Sequence, residues 1–243
     1  MENSVARQEN VSNSLRLLRR VSISELVYEQ VHEKILSGGL QPGEHMNENR
    51  LAASLGVSRA SVREALRQLE KDGLVEITKN KGPFVRDMPL EEAWDLYDVR
   101  ASLEALAAEL AAKNRTDDDL RLLAQCLQSS EHSISLGDAA SVFHSAVNFH
   151  RLVAVMSGSR NVLQMLKGIW GQITLFRRKF PRLSPGKSND SVEKRILSAI
   201  QNQNAEEASA LMRAYVLDAK DEMIKLTGNS PEEHRTNGVA MTA

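Results

Sequence analysis

The chain has 243 residues, 42% hydrophobic and 26% charged, and its 31 basic and 32 acidic side chains leave a formal net charge of -1. That length can bury a sizeable core in one or two domains, and the near balance excludes a uniformly basic or acidic surface, so any polyanion must be met by a local patch. Cys126 is the single cysteine, which excludes an intrachain disulfide and a thiolate metal cluster; no apolar run reaches spanning length and the polar start lacks a signal-peptide core, predicting a cytoplasmic protein.

Taken in chain order, the polar residues 1–21 predict a flexible arm, and the first domain runs over 22–88. Between Glu48 and Arg86 the residue pattern predicts a helix-turn-helix. Leu51, Ala52 and Leu55 recur at helical spacing, and Gly56 supplies the backbone freedom that ends the helix. Val57 then fills the space between two helices. Ser58 is placed to accept the orphan amides of the next helix as its N-cap, with Ser61 and Glu64 as an alternative one turn later. Val62, Ala65, Leu66 and Leu69 form the inward stripe, leaving Arg59, Arg63 and Arg67 on another face.

A cationic helix of this kind docks its N-terminal end in the major groove, where arginine pairs with guanine or neutralises phosphate. Ser58, Arg59, Ser61 and Arg63 are therefore the candidate DNA contacts. Downstream, Val75 and Ile77 alternate with polar residues as a short strand, Lys79 to Pro83 forms a basic turn, and Phe84 and Val85 resume the strand. This pattern is a wing, whose Lys79, Lys81 and Gly82 would approach the DNA backbone or minor groove with an affinity that falls as salt rises. From Arg59 to Arg86 there are seven basic residues (Arg59, Arg63, Arg67, Lys71, Lys79, Lys81, Arg86) against four acidic ones (Glu64, Glu70, Asp72, Glu76). A merely solvated helix face is the common fate of charges at this spacing. Here a glycine turn, a capped arginine helix and a basic wing occur together, which favours the DNA reading.

These residues, preceded by Val27-Tyr28, Val31, Ile35-Leu36-Ser37-Gly38 and Leu40-x-Pro42-Gly43-Glu44, resemble the winged-helix domain of the GntR family of bacterial transcription regulators. The resemblance implies operator contacts at Ser58, Arg59, Arg63, Lys81 and Gly82. The chain departs from the family pattern at Ala60-Ser61, where Thr-Pro is frequent, and at Asn49, where some members carry an arginine, so an operator sequence does not transfer.

After Met88-Pro89 an alanine- and leucine-rich helical periodicity runs to about Leu226, predicting an all-α effector-binding and dimerisation domain over 89–228 and a flexible tail over 229–243. Its first helix carries two stripes: Leu96, Val99, Leu103, Leu106 and Leu110, and beside them Ala93, Tyr97, Arg100, Glu104, Ala107 and Ala111. The small residues of the second stripe permit close approach of another helix. Arg100 and Glu104, one turn apart, suit either a simple ion pair or, through Arg100, an anionic ligand. Thr116 followed by Asp117, Asp118 and Asp119 reads as an N-cap with negative charge in the first turn, rather than a metal site, and opens a helix through Leu120, Leu123, Ala124 and Leu127. Cys126 on that helix is read as a core residue.

Further helices place Ala139, Phe143, Ala146, His150 and Val153 on one face, and Val162, Leu166, Ile169, Ile173 and Phe176 on the next. After a break over Pro181 to Asn189, Val192, Ile196 and Ala199 begin another, and Ala208, Leu211, Met212, Tyr215 and Ala219 line the last; six helices are expected. The order from Leu96-Tyr97-Asp98-Val99-Arg100 through Phe149-His150 to Ile196-Leu197 and Met212-Arg213-Ala214-Tyr215 resembles the FCD effector domain of the FadR-type subfamily. That resemblance implies a homodimer whose helical domain binds a small metabolite, commonly an organic acid, and thereby changes the spacing of its DNA-binding heads.

Many FCD domains also hold a divalent metal with one aspartate and three histidines. The matching positions here are Ala146, His150, Glu193 and Tyr215, so only His150 is kept and no metal or other cofactor is expected. In its place the reading predicts a polar pocket in which His150, Glu193 and Tyr215 hydrogen-bond one another or a ligand. Arg100 would neutralise a carboxylate, with Trp170, Gln172 and Arg177 as further lining. The bland alternatives are a satisfied core histidine and a solvated end at Arg177, Arg178 and Lys179.

The expectation is thus a mainly α protein, a winged helix-turn-helix joined to a helical bundle, that binds a palindromic duplex operator as a dimer, represses it, is controlled by a carboxylate effector and has no enzymatic activity or membrane association. A ligand-independent DNA-binding dimer and an enzymatic or metal-binding bundle tethered to DNA are the competing readings.

Overall fold

The computed structural model describes residues 22–180 and 190–228. The expected arm, tail and Pro181–Asn189 break lie outside the described residues, as do the side chains of Ala139 and Phe143. The chain divides between Asp87 and Met88 into two compact units.

In the first unit, helix α1 (Ile23–Ser37) starts from a capping box between Ser22 and Glu25, each side chain accepting the other residue's backbone amide. Helix α2 (Glu48–Leu55) is capped by Asn47, and it stops at Gly56, whose φ of 66° is costly for any residue with a Cβ. Helix α3 (Arg59–Lys71) is capped by Ser58, which accepts the Ser61 amide. Its Val62, Ala65, Leu66 and Leu69 are all buried, as the periodicity predicts. They meet Val27, Val31 and Ile35 of α1, each such side chain stabilising the fold by roughly 1.5–3 kcal/mol. Tyr28 of α1 donates its hydroxyl proton to Asp72 at 2.7 Å, tying α1 to the end of α3.

Strands β1 (Val75–Thr78) and β2 (Gly82–Val85) pair antiparallel with Thr78 opposite Gly82 and Ile77 opposite Pro83. The loop is therefore Lys79-Asn80-Lys81, and Gly82 and Pro83 belong to the strand rather than to the expected turn. Asn80, at φ 66°, makes the left-handed step that lets the hairpin close one residue pair earlier. The segment before α2 lies along the far edge of β2: Met46 N–H donates to Pro83 O at 2.8 Å, and Val85 N–H donates to Glu44 O at 2.9 Å.

The second unit contains, among the described residues, helices α4 (Leu90–Asn114), α5 (Asp117–Ser135), α6 (Ala139–Met156), α7 (Arg160–Arg177), α8 (Asp190–Gln201) and α9 (Ala205–Thr227). Helix α4 is the central element and packs against α6, α7, α8 and α9. Its inner face is the stripe of small and polar groups: Ala93, Tyr97, Arg100, Glu104, Ala107 and Ala111 are buried, whereas Val99 is 50% and Leu106 40% exposed. Alanine here allows several helix axes to come close to one helix, which leucine would hold apart. The core around it includes Leu123, Leu127, Phe149, Ile173, Phe176, Ile196, Met212 and Met88. Thr116 and Asp119 form a capping box at the start of α5, as the acidic run predicts.

Candidate DNA interface and helical-domain site

The cap that starts α3 also organises its exposed end. Ser58 Oγ lies 3.1 Å from the Ser61 amide nitrogen and 2.9 Å from Ser61 Oγ, so the two hydroxyls form one unit at the helix mouth. The amides of this first turn and the helix dipole leave it electropositive. Arg59, Arg63 and Arg67 are exposed, as are Lys79 and Lys81 in the hairpin loop. Arg63 is not free: its Nη2 donates to Glu48 Oε2 at 2.8 Å, and its Nε lies 3.3 and 3.4 Å from the two carboxylate oxygens. The Arg63 hydrogen bond, with Arg59 and Arg67 nearby, holds the Glu48 carboxyl below its ordinary value. Glu48 is absent from the sequence-based site because it stands fifteen residues before its partner. Gly82, at φ 91°, lies against His45: a Cβ there would stand 3.1 Å from His45 Nε2.

In the helical unit, five helices contribute to one buried polar cluster whose centre is Glu104 of α4. Arg100 Nε donates to Glu104 Oε1 at 2.7 Å, and Trp170 Nε1 of α7 donates to the same oxygen at 2.6 Å. His150 Nδ1 of α6 lies 2.6 Å from Glu104 Oε2. Burial alone would raise the Glu104 carboxyl, but Arg100 and then His150 outweigh it and bring it down to about 2. Burial likewise disfavours charge on Arg100, and Glu104 more than restores it, so the guanidinium is held above its ordinary value.

The His150 ring stacks on Tyr215 of α9 with centroids 5.3 Å apart, and Tyr215 donates its hydroxyl proton to Glu193 Oε1 of α8 at 2.7 Å. Burial, then the Glu193 carboxylate, pushes the Tyr215 phenol far up. Arg100 also sits over the Tyr97 ring at 5.8 Å, and the Tyr97 hydroxyl is buried with no hydrogen-bond partner among the described residues. Cys126 is half-buried, its thiol pushed up by burial, and donates to Ser145 O at 3.4 Å.

This arrangement corrects the sequence reading at one point. Glu104, not Glu193, is the acid beside His150, because the alanine stripe turns Arg100 and Glu104 together into the bundle. Gln172 stands two residues beyond Trp170 on α7 and is half-buried. Arg177 is half-buried at the end of α7, while Lys179 donates to the Met88 carbonyl at 2.9 Å. The residues at the four metal-ligand positions do not fit a divalent metal. Ala146 offers no lone pair, Tyr215 is held protonated and donating to Glu193, and the His150 Nδ1 edge faces Glu104.

A capped arginine helix with a two-stranded wing in one unit, and an all-α bundle in the other, define a helix-turn-helix transcription regulator with a second, helical domain. Residues 23–85 match the bacterial regulatory proteins of the gntR family, and residues 95–218 match the FCD domain. The chain belongs to the GntR family and carries an FCD domain.

Among its relatives, the uncharacterized HTH-type transcriptional regulator YdhC of Bacillus subtilis is 33% identical over 143 residues, 58% of this chain and 64% of that protein. The gluconate operon transcriptional repressor of Bacillus licheniformis is 27% identical over 180 residues, 74% of this chain and 72% of that one. The solved structure of E. coli McbR/YncC is similar in fold, with a TM-score of 0.73 at 20% identity, covering 86% of this chain and all (100%) of that one. The relatives and both matched families are transcriptional regulators, not enzymes, which removes the reading of the bundle as a DNA-tethered enzyme. No helix among the described residues is long and apolar enough to cross a membrane.

Proposed function

We propose that this DNA-binding regulator acts in the cytoplasm as a homodimer on a palindromic operator, reading it with Ser58, Arg59, Ser61 and Arg63 and anchoring on the backbone with Lys79, Lys81 and Gly82 at the start of β2. It represses, and an organic acid held in the helical domain sets its operator affinity. The observation that carries the DNA part is the exposed arginine row on a helix whose mouth is capped by paired serine hydroxyls. Two copies of one recognition helix imply two half-sites in inverted order. Selection from a random duplex library tests this directly, with enrichment of an inverted repeat expected and enrichment of a single unrepeated site against it. Repression is also what the related gluconate operon protein is named for.

The effector part is supported by the polar cluster itself. A buried ion pair is stabilising by little or nothing relative to apolar side chains of the same volume, so one kept inside an alanine-rich bundle is better accounted for by recognition than by stability. Glu104 takes Arg100 by Nε, which leaves the terminal edge of the guanidinium as the fork for a ligand carboxylate, and the buried Tyr97 hydroxyl has no protein partner among the described residues. His150, Tyr215 and Trp170 complete the lining.

One observation favours a second reading, a ligand-independent dimer: Arg100, His150 and Trp170 already converge on an internal carboxylate. Thermal-shift screening against organic and sugar acids separates the two, since a ligand that binds only the folded state raises its melting point. A dose-dependent rise that Arg100→Met abolishes supports the effector site. No rise with any acid supports the second reading.

A further inference from the structure

Within the DNA-reading unit, the ion pair between α2 and α3 has a geometry that bears on which bases are read. Asn47 Oδ1 accepts the amides of Asn49 and Arg50, so the first turn of α2, which carries Glu48, is pinned to its cap. From that turn the Glu48 carboxylate grips Arg63 along one edge, with Nη2 at 2.8 Å and Nε at 3.3 Å from Oε2. An arginine has two usable hydrogen-bonding edges: the side edge, Nε with Nη2, and the end edge, Nη1 with Nη2. Guanine recognition needs one of them intact, two parallel N–H groups aimed at O6 and N7.

An ungripped arginine on an exposed helix samples many rotamers, losing about 2 kcal/mol of rotamer entropy when it settles, and it reaches phosphates as readily as base edges. Glu48 removes that freedom. It occupies the side edge, leaves the end edge for a base, and sets a negative charge beside the guanidinium that disfavours a phosphate there.

We propose that Glu48 is a positioning residue for sequence specificity, holding Arg63 as a base-reading group and keeping it off the phosphates. This rests on the assignment of α3 as the recognition helix. Three consequences follow for the full-length protein. Loss of the grip lets Arg63 join the phosphate contacts, so binding to random duplex tightens several-fold at low salt. The logarithmic salt dependence steepens by about 0.9 for each protomer, about 1.8 for the dimer, the increment for one further neutralised phosphate per Arg63. Discrimination at one base pair in each half-site falls about tenfold, within the range that a bidentate arginine supplies.

The test compares wild type, Glu48→Ala, Glu48→Gln, Arg59→Ala, Arg63→Ala and the Glu48→Ala/Arg63→Ala double variant. Each is measured on the duplex that wild type selects from a random library, on its single-base variants and on a scrambled duplex, at several salt concentrations. Thermal melts confirm that each variant is folded. Glu48→Ala is expected to lose discrimination at the same base pair as Arg63→Ala, and to steepen the salt slope only while Arg63 is present. Glu48→Gln still offers Arg63 an oxygen acceptor and is expected to recover most of the discrimination. An unchanged base preference in folded Glu48→Ala overturns the proposal, as does a salt slope that steepens equally in the double variant. If Arg63→Ala and Arg59→Ala both bind the selected duplex as wild type does, the recognition-helix assignment itself fails, an outcome distinct from the failure of Glu48 alone.

Discussion

Replacing Glu104 by glutamine tests whether the buried cluster is wired as the distances imply. The glutamine is nearly isosteric and still accepts from Trp170, but it leaves the Arg100 guanidinium, whose side chain is only 9% exposed, without its counter-ion. Removing one member of a buried pair typically costs about 3–5 kcal/mol. The depression of the Glu104 carboxyl gives an independent figure. Its fall from 4.5 to about 2 corresponds, at 1.36 kcal/mol per pH unit, to roughly 3 kcal/mol of stability at neutral pH.

For a domain of this size, about 3 kcal/mol lowers the melting temperature by roughly 6–12 °C, read by circular dichroism as the loss of the helical unit. The sign of the pH dependence follows from the depressed value. The ionised Glu104 contributes fully above its unfolded value near 4.5, and that contribution is lost as pH falls toward about 2. The gap between wild type and Glu104→Gln should therefore narrow progressively over that window and be constant above it. A difference under 2 °C at pH 7, or a gap that stays the same as pH is lowered, refutes the wiring. The paired replacement Arg100→Met with Glu104→Leu should recover most of the lost stability while abolishing any acid-induced thermal shift, because it removes both charges together.

At the other unit, Ser58→Ala removes the cap of α3 and should destabilise the winged helix by about 1 kcal/mol in urea melts, and unchanged stability would show that Ser61 caps the helix instead. Gly82→Ala forces a Cβ into a φ of 91° beside His45, and roughly 1–2 kcal/mol of lost stability is expected, with weaker DNA binding on all sequences alike. Wild-type stability in that variant would mean the hairpin closes by another route.

Local signals made the winged helix legible. Gly56 ends one helix, Ser58 starts the next, and the stripe Val62, Ala65, Leu66 and Leu69 is read within a single turn-to-turn period. The hairpin loop is shorter than its residues suggest because Asn80 takes a left-handed conformation that asparagine tolerates but does not announce.

The bundle was harder to read. Its central helix carries two plausible stripes, and hydrophobicity alone favours the leucines, yet Val99 and Leu106 are exposed while alanines, Arg100 and Glu104 turn inward. A helix contacted on several sides is selected for smallness at its contacts, which a hydrophobicity scale does not record. His150 and Trp170 were recognisable as polar groups on apolar faces. That both close on Glu104, 46 and 66 residues earlier in the chain, is a tertiary fact. The spacing of Arg100 and Glu104 by one turn was its only trace in the sequence, and Glu48 with Arg63 left none.

Arginines at the mouth of α3 read DNA in this proposal. Gel-shift titration of purified wild type and Arg59→Ala against a selected duplex and a scrambled one, at physiological salt, tests it most directly. Arg59→Ala is expected to lose at least tenfold in affinity for the selected duplex while its oligomeric state, by sedimentation, matches wild type. Equal affinity of the two proteins for the selected duplex would contradict it.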